Sequence, residues 1–202
     1  GHETGYFPGE VNFRHADVVV INKVDTADRA DVDSIRRNAH YVNPQAQIVE
    51  MACRVSLTAP ELVKGKRVLV VEDGPTLTHG EMPYGAGVVA ARQAGAAELV
   101  DPRPYAVGSI RETFERYPHL TGLLPAMGYS AVQRVELQQT IEKTPCDLIL
   151  VATPIDLARV IILDKPSFRV TYDVEELTSP GLFNRLSKFS EKHQPEAAGV
   201  AK

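Results

Sequence analysis

The chain has 202 residues, a formal net charge of −4 and 44% hydrophobic residues, enough apolar material for one large globular domain or two small ones. No apolar run approaches the ~20 residues that span a bilayer, and residues 1–10 lack the basic and apolar regions of a signal peptide. Cys53 and Cys146 have no CxxC partner, which argues against a zinc ribbon or disulfide framework and favours a reducing compartment. We therefore expect a cytoplasmic protein that binds neither membrane nor nucleic acid.

Strand and helix patterns alternate along the chain. The sequence predicts a polar loop at 1–15, a strand at 16–21, a helix at 28–40, a strand at 47–51, a strand at 67–71 and a loop at 72–80. A helix at 85–94, a strand at 98–100, helices at 109–117 and 130–143, and strands at 147–152 and 168–172 follow, before a frayed end at 195–202.

The alternation predicts an α/β fold: a mostly parallel sheet with helices on both faces, in three layers. We assign residues 1–60 to the end of a nucleotide-binding domain, 61–178 to an α/β subdomain and 179–202 to a polar tail. Ligands of parallel sheets lie beyond the carboxyl ends of the strands, so the loops that follow strands are the candidate sites.

A guanine-reading motif directly follows the first predicted strand. Asn22, Lys23 and Asp25 form the Asn-Lys-x-Asp pattern of GTP-binding proteins. The Asp carboxylate would accept hydrogen bonds from N1–H and the 2-amino group of guanine, Asn22 would tie the loop to backbone, and the stem of Lys23 would cover the base. The backbone at Ala52 would reach the guanine O6. The alternative interpretation is a polar turn in which Asp25 caps the next helix.

The sequence contains no Gly-x-x-x-x-Gly-Lys-Ser/Thr loop to hold the β- and γ-phosphates. We therefore interpret the first part of the chain as a remnant of a P-loop NTPase-like domain. A missing N-terminal segment of the same protein would be its first partner.

Several long segments resemble the cyclic 2,3-diphosphoglycerate synthetase family, and the resemblance extends from residue 5 to residue 172. They are GKRVLVVEDGPTLTHG at 65–80, YGAG at 84–87, VDPRP at 100–104, LPAMGY at 124–129 and TPIDL at 153–157. Members of this family are longer and carry a Walker-type loop upstream. The resemblance implies a cytoplasmic enzyme that closes 2,3-bisphosphoglycerate into a cyclic pyrophosphate with ATP. Since the Asn-Lys-x-Asp motif favours guanine, the co-substrate is left open between GTP and ATP, with Mg²⁺ as cofactor.

The loop after the strand at 67–71 is the second candidate site. A glycine-rich turn that enters a helix offers backbone N–H groups to a phosphate, and an arginine adds a bidentate donor. The predicted phosphate or substrate contacts are Thr76, Thr78, His79, Gly80, Tyr84, Gly85, Gly87 and Arg103. Glu72 and Asp73 would hold magnesium, or form an acidic, solvated turn. The glycines would alternatively serve only a tight turn, Tyr129 would bind phosphate or pack in the core, and Asp101–Arg103 would be a salt-bridged turn.

Three functions are open from the sequence. The leading one is the C-terminal portion of a nucleotide-dependent enzyme that acts on a small anionic phosphorylated metabolite. The second is a regulatory or metallochaperone-type GTPase whose C-terminal half binds a partner, and the third is a fragment without activity of its own. No catalytic residue is assigned, and homo-oligomerisation is left open.

Overall fold

The structure is a computed structural model that describes residues 3–79 and 82–192. It divides into two compact units: the first holds the residues up to Arg54 and from Asp173 onward, and the second runs from Val55 to Tyr172. The chain passes between them within strand β2 (Gln47–Leu57) and returns within strand β7 (Ser167–Glu176). In the described residues, no helix combines the length and the apolar character that crossing a membrane would need.

The first unit is built on a parallel strand pair. Strand β1 (Val18–Ile21) pairs with β2, from Val18 opposite Gln47 to Ile21 opposite Glu50. Helix α2 starts at Arg29 because the Asp28 side chain accepts a hydrogen bond from Ala30 N at 2.7 Å. The helices of this unit are α1 (Phe7–His15), α2 (Arg29–Val42) and α7 (Leu182–Lys192).

The second unit contains a parallel sheet centred on β3. Strand β6 pairs with β3 on one side and carries β7 on its far edge, while β4 and β5 pair with the beginning and the end of β3 on the other side. Residues 68–71 of β3 are fully buried, as a strand covered on both faces requires. The strands are β3 (Arg67–Asp73), β4 (Glu98–Leu99), β5 (Leu124–Ala126) and β6 (Leu148–Ala152).

Helices lie on both sides of this sheet. The chain leaves β3 through α4 toward β4, and leaves β5 through α6 toward β6 on the opposite side of β3. Right-handed crossovers in opposite directions place α4 and α6 on opposite faces. The α/β prediction is therefore confirmed. The helices are α3 (Gly74–His79), α4 (Ala86–Gln93), α5 (Gly108–Arg116) and α6 (Ala131–Lys143), with 3-10 turns at Pro60–Leu62, Arg103–Tyr105 and Leu157–Arg159.

Three predicted loops or tails contain helices. Helix α1 lies in the predicted loop 1–15, where Pro8 sits in the first turn, the one place in a helix that tolerates proline. Pro75 has the same place in α3, inside the predicted loop 72–80. Helix α7 lies in the stretch predicted as a polar tail. The predicted frayed end at 195–202 lies outside the described residues.

Candidate functional site

The loop after β1 is fastened to β2 by backbone and side-chain bonds. Lys23 has a left-handed backbone with φ of 60°, which is uncommon for a residue other than glycine. The Asn22 side chain accepts from Lys23 N at 2.8 Å, as expected for a residue that ties the loop to backbone. Val24 N donates to Met51 O at 3.1 Å. The loop therefore has a defined shape with exposed side chains at its tip.

Asp25 links this loop to the end of the second strand. Its Oδ1 accepts a hydrogen bond from Cys53 N at 2.9 Å, so the residue next to Ala52 lies beside the carboxylate. The whole of Ala52, backbone included, is buried. The interpretation of Asp25 as a helix cap is wrong, because Asp28 caps α2. The structure thus brings together Asn22, Asp25 and the Ala52–Cys53 backbone, and their role in binding a base stays a prediction.

In the second unit, Glu72 occupies the helix end that was predicted for phosphate. Glu72 is 3% exposed, and its Oε1 accepts a hydrogen bond from Val88 N in the first turn of α4 at 3.0 Å. A Cβ atom at Gly85 would stand 2.5 Å from Glu72 Oε2, so the carboxylate lies directly against that residue. A carboxylate at a helix N-terminus satisfies free N–H groups and the helix dipole. A phosphate at Gly85 and Gly87 would therefore have to share its donors with the protein's own anion.

Asp73 points away from Glu72. Successive side chains of a strand project to opposite faces of the sheet, and both residues belong to β3. The Asp73 Oδ2 atom accepts from Thr76 Oγ1 at 2.5 Å. In residues 3–79 and 82–192 there is no group of three or more His, Cys, Asp or Glu that could hold a metal ion. Glu72 and Asp73 therefore do not fit a shared magnesium ion.

The other predicted phosphate contacts are partly engaged within the chain. Thr78 is buried and donates to Pro75 O at 3.4 Å, and His79 Nδ1 lies 2.8 Å from the same oxygen. The Arg92 guanidinium lies over the Tyr84 ring, 5.4 Å from its centroid. Gly80 lies outside the described residues. The structure brings Thr76 to Asp73, and binding of a phosphate or substrate by the described members of this set stays a prediction.

Arg103 forms a bidentate ion pair with Asp101. The Nη2 atom of Arg103 lies 2.6 Å from Asp101 Oδ2, and its Nε lies 2.9 Å from both carboxylate oxygens. The guanidinium holds the pKa of Asp101 below its usual range. This is the geometry of a salt-bridged turn, one of the two interpretations of the sequence. Binding of a phosphate or substrate by Arg103 stays a prediction.

Tyr129 and Thr153 lie in two further loops that follow strands of the second unit. Asp73 is opposite Ala126 in β5, and Glu72 is opposite Ala152 in β6, so Thr153 and the loop to Tyr129 follow strands that end beside Asp73. Burial raises the pKa of Tyr129; the Thr153 hydroxyl beside it acts to lower that pKa, and the nearby charge of Asp73 acts to raise it. The signal missed in the sequence was β5, because a three-residue strand with Pro125 in the middle does not resemble a strand.

A curated protein is similar to nearly the whole chain. Over 190 residues, which is 94% of this chain, the sequence is 55% identical to arginine synthetase ArcE of Thermococcus kodakarensis. The chain is similar to an arginine synthetase. ArcE is named for a synthetase reaction, as expected from the resemblance, but its name gives a product other than cyclic diphosphoglycerate.

The similarity to ArcE covers only part of that protein. The matched segment is 42% of the length of ArcE, so the chain spans less than half of its relative. No family model matches the chain. Both units described above fall largely within the matched length, and the comparison therefore applies to the loop after β1 as well as to the loop after β3.

Proposed function

We propose that this chain is part of a nucleotide-dependent synthetase that makes arginine or a closely related amino acid. The observation that carries the proposal is the 55% identity to arginine synthetase ArcE over 94% of the chain. In this proposal the first unit binds the base of the nucleotide, and the second unit binds the amino acid. The chain spans 42% of ArcE, so the synthetase activity of that whole protein enters here only as part of the proposal.

The base is recognised by the loop after β1. Asp25 accepts from the N–H groups of the purine while Cys53 N holds its Oδ1 atom in place at 2.9 Å. The exposed stem of Lys23 covers the base, and Asn22 keeps the loop in its left-handed turn through Lys23 N. This arrangement favours GTP, and ATP is the competing co-substrate. A magnesium ion would accompany the triphosphate, but the described residues give it no ligand cluster.

Catalysis by a synthetase of this kind depends on positioning. Cleavage of a nucleoside triphosphate is coupled to formation of the new bond, and the protein contributes by holding both reactants in line and out of water. In the second unit the carboxyl ends of β3, β5 and β6 are the place for the acceptor, because parallel sheets bind ligands at this edge.

A second candidate function is formation of cyclic 2,3-diphosphoglycerate, which the motifs at 65–80 and 124–129 favour by resemblance. It requires an anion site in the second unit. Glu72 against Gly85 and the Asp101–Arg103 pair make this edge less suited to a polyanion. No observation favours a regulatory or metallochaperone-type GTPase.

A chimaera with ArcE tests the proposal. The matched segment of ArcE is replaced by this chain, and arginine formation and triphosphate consumption are measured with GTP and with ATP. We expect the chimaera to form arginine. We expect its Asp25→Asn variant to require a higher nucleotide concentration to reach the same rate. A folded chimaera that consumes triphosphate with 2,3-bisphosphoglycerate but forms no arginine would establish the second candidate instead.

A further inference from the structure

In the sheet of the second unit, consecutive strands lie first on one side of β3 and then on the other. The chain goes from β3 to β4 and β5 on one side, and then returns to β6 on the other side. Between the carboxyl ends of β3 and β6 the two connections leave toward opposite faces, which is the arrangement at which open parallel sheets bind their ligands. Asp73 ends β3 on this edge, and Thr153 is the first residue after β6.

A buried hydroxyl lies at the same edge. The Oη atom of Tyr129 is buried beside the Thr153 hydroxyl, and it makes no hydrogen bond of good geometry among the described residues. Thr153 is 3% exposed, and its hydroxyl donates to Ile155 O at 2.8 Å, so its lone pairs can still accept. A buried hydroxyl without a good hydrogen bond is unfavourable, and a ligand with hydrogen-bond donors would satisfy it.

Asp73 gives this edge a negative charge. The residue is half-buried, and the one described bond to its carboxylate comes from Thr76 at Oδ2. Met127 and the Ala126 carbonyl press against Gly74, where a Cβ atom would stand 2.4 Å from Met127 Sδ and 2.8 Å from Ala126 O. The start of α3 is therefore fixed beside β5, and Asp73 is held toward the side of Tyr129.

The charges at this edge favour a cation. Glu72 already supplies an anion to the N-terminus of α4, Arg103 is paired with Asp101, and Arg169 donates to the Pro154 carbonyl at 2.8 Å. The carboxylate of Asp73 and the hydroxyl oxygens of Tyr129 and Thr153 are acceptors. A guanidinium group has five N–H donors and no acceptor, and a planar carboxylate matches its fork.

We propose that Asp73, Tyr129 and Thr153 form a subsite that binds the guanidinium group of the amino acid handled by this protein. The proposal rests on the proposed function for the choice of amino acid, but its geometry does not depend on catalysis. The Asp73 carboxylate accepts from two N–H groups of the guanidinium, and the Tyr129 and Thr153 hydroxyl oxygens accept from the remaining ones.

Calorimetry on the 202-residue chain tests the subsite with three small molecules. L-Arginine and agmatine carry the guanidinium group, whereas L-norleucine keeps the amino acid without it. We expect the first two to bind and L-norleucine not to bind. Asp73→Asn should lower the affinity for arginine and for agmatine by about tenfold or more, since a charge-assisted pair is lost. Tyr129→Phe should lower the same two affinities several-fold.

Matched controls separate the subsite from charge and from folding. Glu115→Gln removes one negative charge from the exposed surface of α5 and should leave arginine binding unchanged. Asp73→Glu keeps the carboxylate and should retain part of the affinity that Asp73→Asn loses. Unchanged circular dichroism confirms that each variant is folded. Equal arginine affinity in Asp73→Asn and the parent, or binding of inorganic phosphate that Asp73→Asn strengthens, would overturn the subsite. Arginine formation by the chimaera with no loss in its Asp73→Asn form would overturn the subsite and leave the proposed function standing.

Discussion

At the scale of single residues, each conspicuous carboxylate has a distinct partner. Asp25 accepts from Cys53 N, Glu72 accepts from Val88 N, and Asp101 pairs with Arg103. The partners determine what each group can offer a ligand. Asp25 is exposed and keeps its second oxygen for a base, whereas Glu72 is buried against a helix end.

Changing Asp25 to asparagine should change the preferred base. The amide oxygen of Asn can still accept from Cys53 N, so the loop should keep its shape. Its NH₂ group cannot accept from guanine, but it can donate to the added oxygen of xanthine. We expect GTP affinity of the ArcE chimaera to fall about tenfold or more, with a gain for the xanthosine nucleotide, by calorimetry. Asp31→Asn is the control for charge, and equal GTP affinity in the Asp25 variant would remove the guanine interpretation.

The Asp101–Arg103 pair should give a small, pH-dependent contribution to stability. The pKa of Asp101 is lowered in the folded state by Arg103, so the contribution is present above the unfolded pKa and is lost as the pH falls through the folded one. The two side chains are 39% and 41% exposed, so Arg103→Ala should lower the free energy of unfolding by less than about 1 kcal/mol.

NMR titration of the Asp101 carboxyl carbon checks this sign, because its midpoint should move upward in Arg103→Ala. The exposed pair of Arg159 with Asp156 gives the control variant Arg159→Ala. A large loss of substrate affinity in Arg103→Ala at unchanged stability would instead show that Arg103 binds the substrate.

At the scale of elements, α4 is pressed onto the sheet at its first turn. A Cβ atom at Gly87 would lie 2.6 Å from Val70 Cγ1 and 2.8 Å from Ala152 Cβ. The helix start therefore touches β3 and β6 at once. Glu72 is enclosed in the same contact, because the Gly87 Cβ would also meet its Oε1 at 3.1 Å.

Gly87→Ala should destabilise the second unit. Alanine is favoured over glycine in a helix by about 1 kcal/mol, but crowding against two strands costs about 1–3 kcal/mol. We expect a net loss in the free energy of unfolding, measured by urea denaturation. Gly5→Ala is the control, since nothing lies within 4 Å of its Cβ position. A variant as stable as the parent would mean that α4 is free to shift from the sheet.

Elements with strong local signals could be predicted from the sequence, and long-range contacts could not. Strands β3 and β6 and helices α2 and α6 were predicted close to their observed bounds, and α2 was recognised by its acidic first turn and the basic residues near its end. β5 was missed, because its pairing with β3 depends on distant residues. The same limit applies to the site: Glu72 was recognised as a candidate, but its bond to Val88, sixteen residues later, required the folded chain.

At the scale of the whole molecule, the two units have different tasks in the proposed function. The first carries the base-reading loop, and the second carries the edge formed by Asp73, Tyr129 and Thr153. The 202 residues include no Walker-type phosphate loop. The most favourable interactions of a nucleoside triphosphate, those with its phosphates, are therefore missing from this chain.

The purified 202-residue chain should neither hydrolyse nor tightly bind nucleoside triphosphate. Turnover is measured with GTP and ATP by phosphate release, and a preparation of Asp25→Asn serves as the contaminant control. Hydrolysis above that control, or submicromolar binding, would require a phosphate site elsewhere in the chain. The ArcE chimaera should regain both properties.

The second unit begins and ends at neighbouring points. Ser56 Oγ, near its first residue, lies 2.8 Å from Thr171 Oγ1, near its last. A segment whose two ends touch can be inserted into a host chain without stretching the host, and nested domains arise in this way. The stretch from Val55 to Tyr172 is therefore suited to circular permutation: its ends could be joined by a short linker, and new termini opened at an exposed loop.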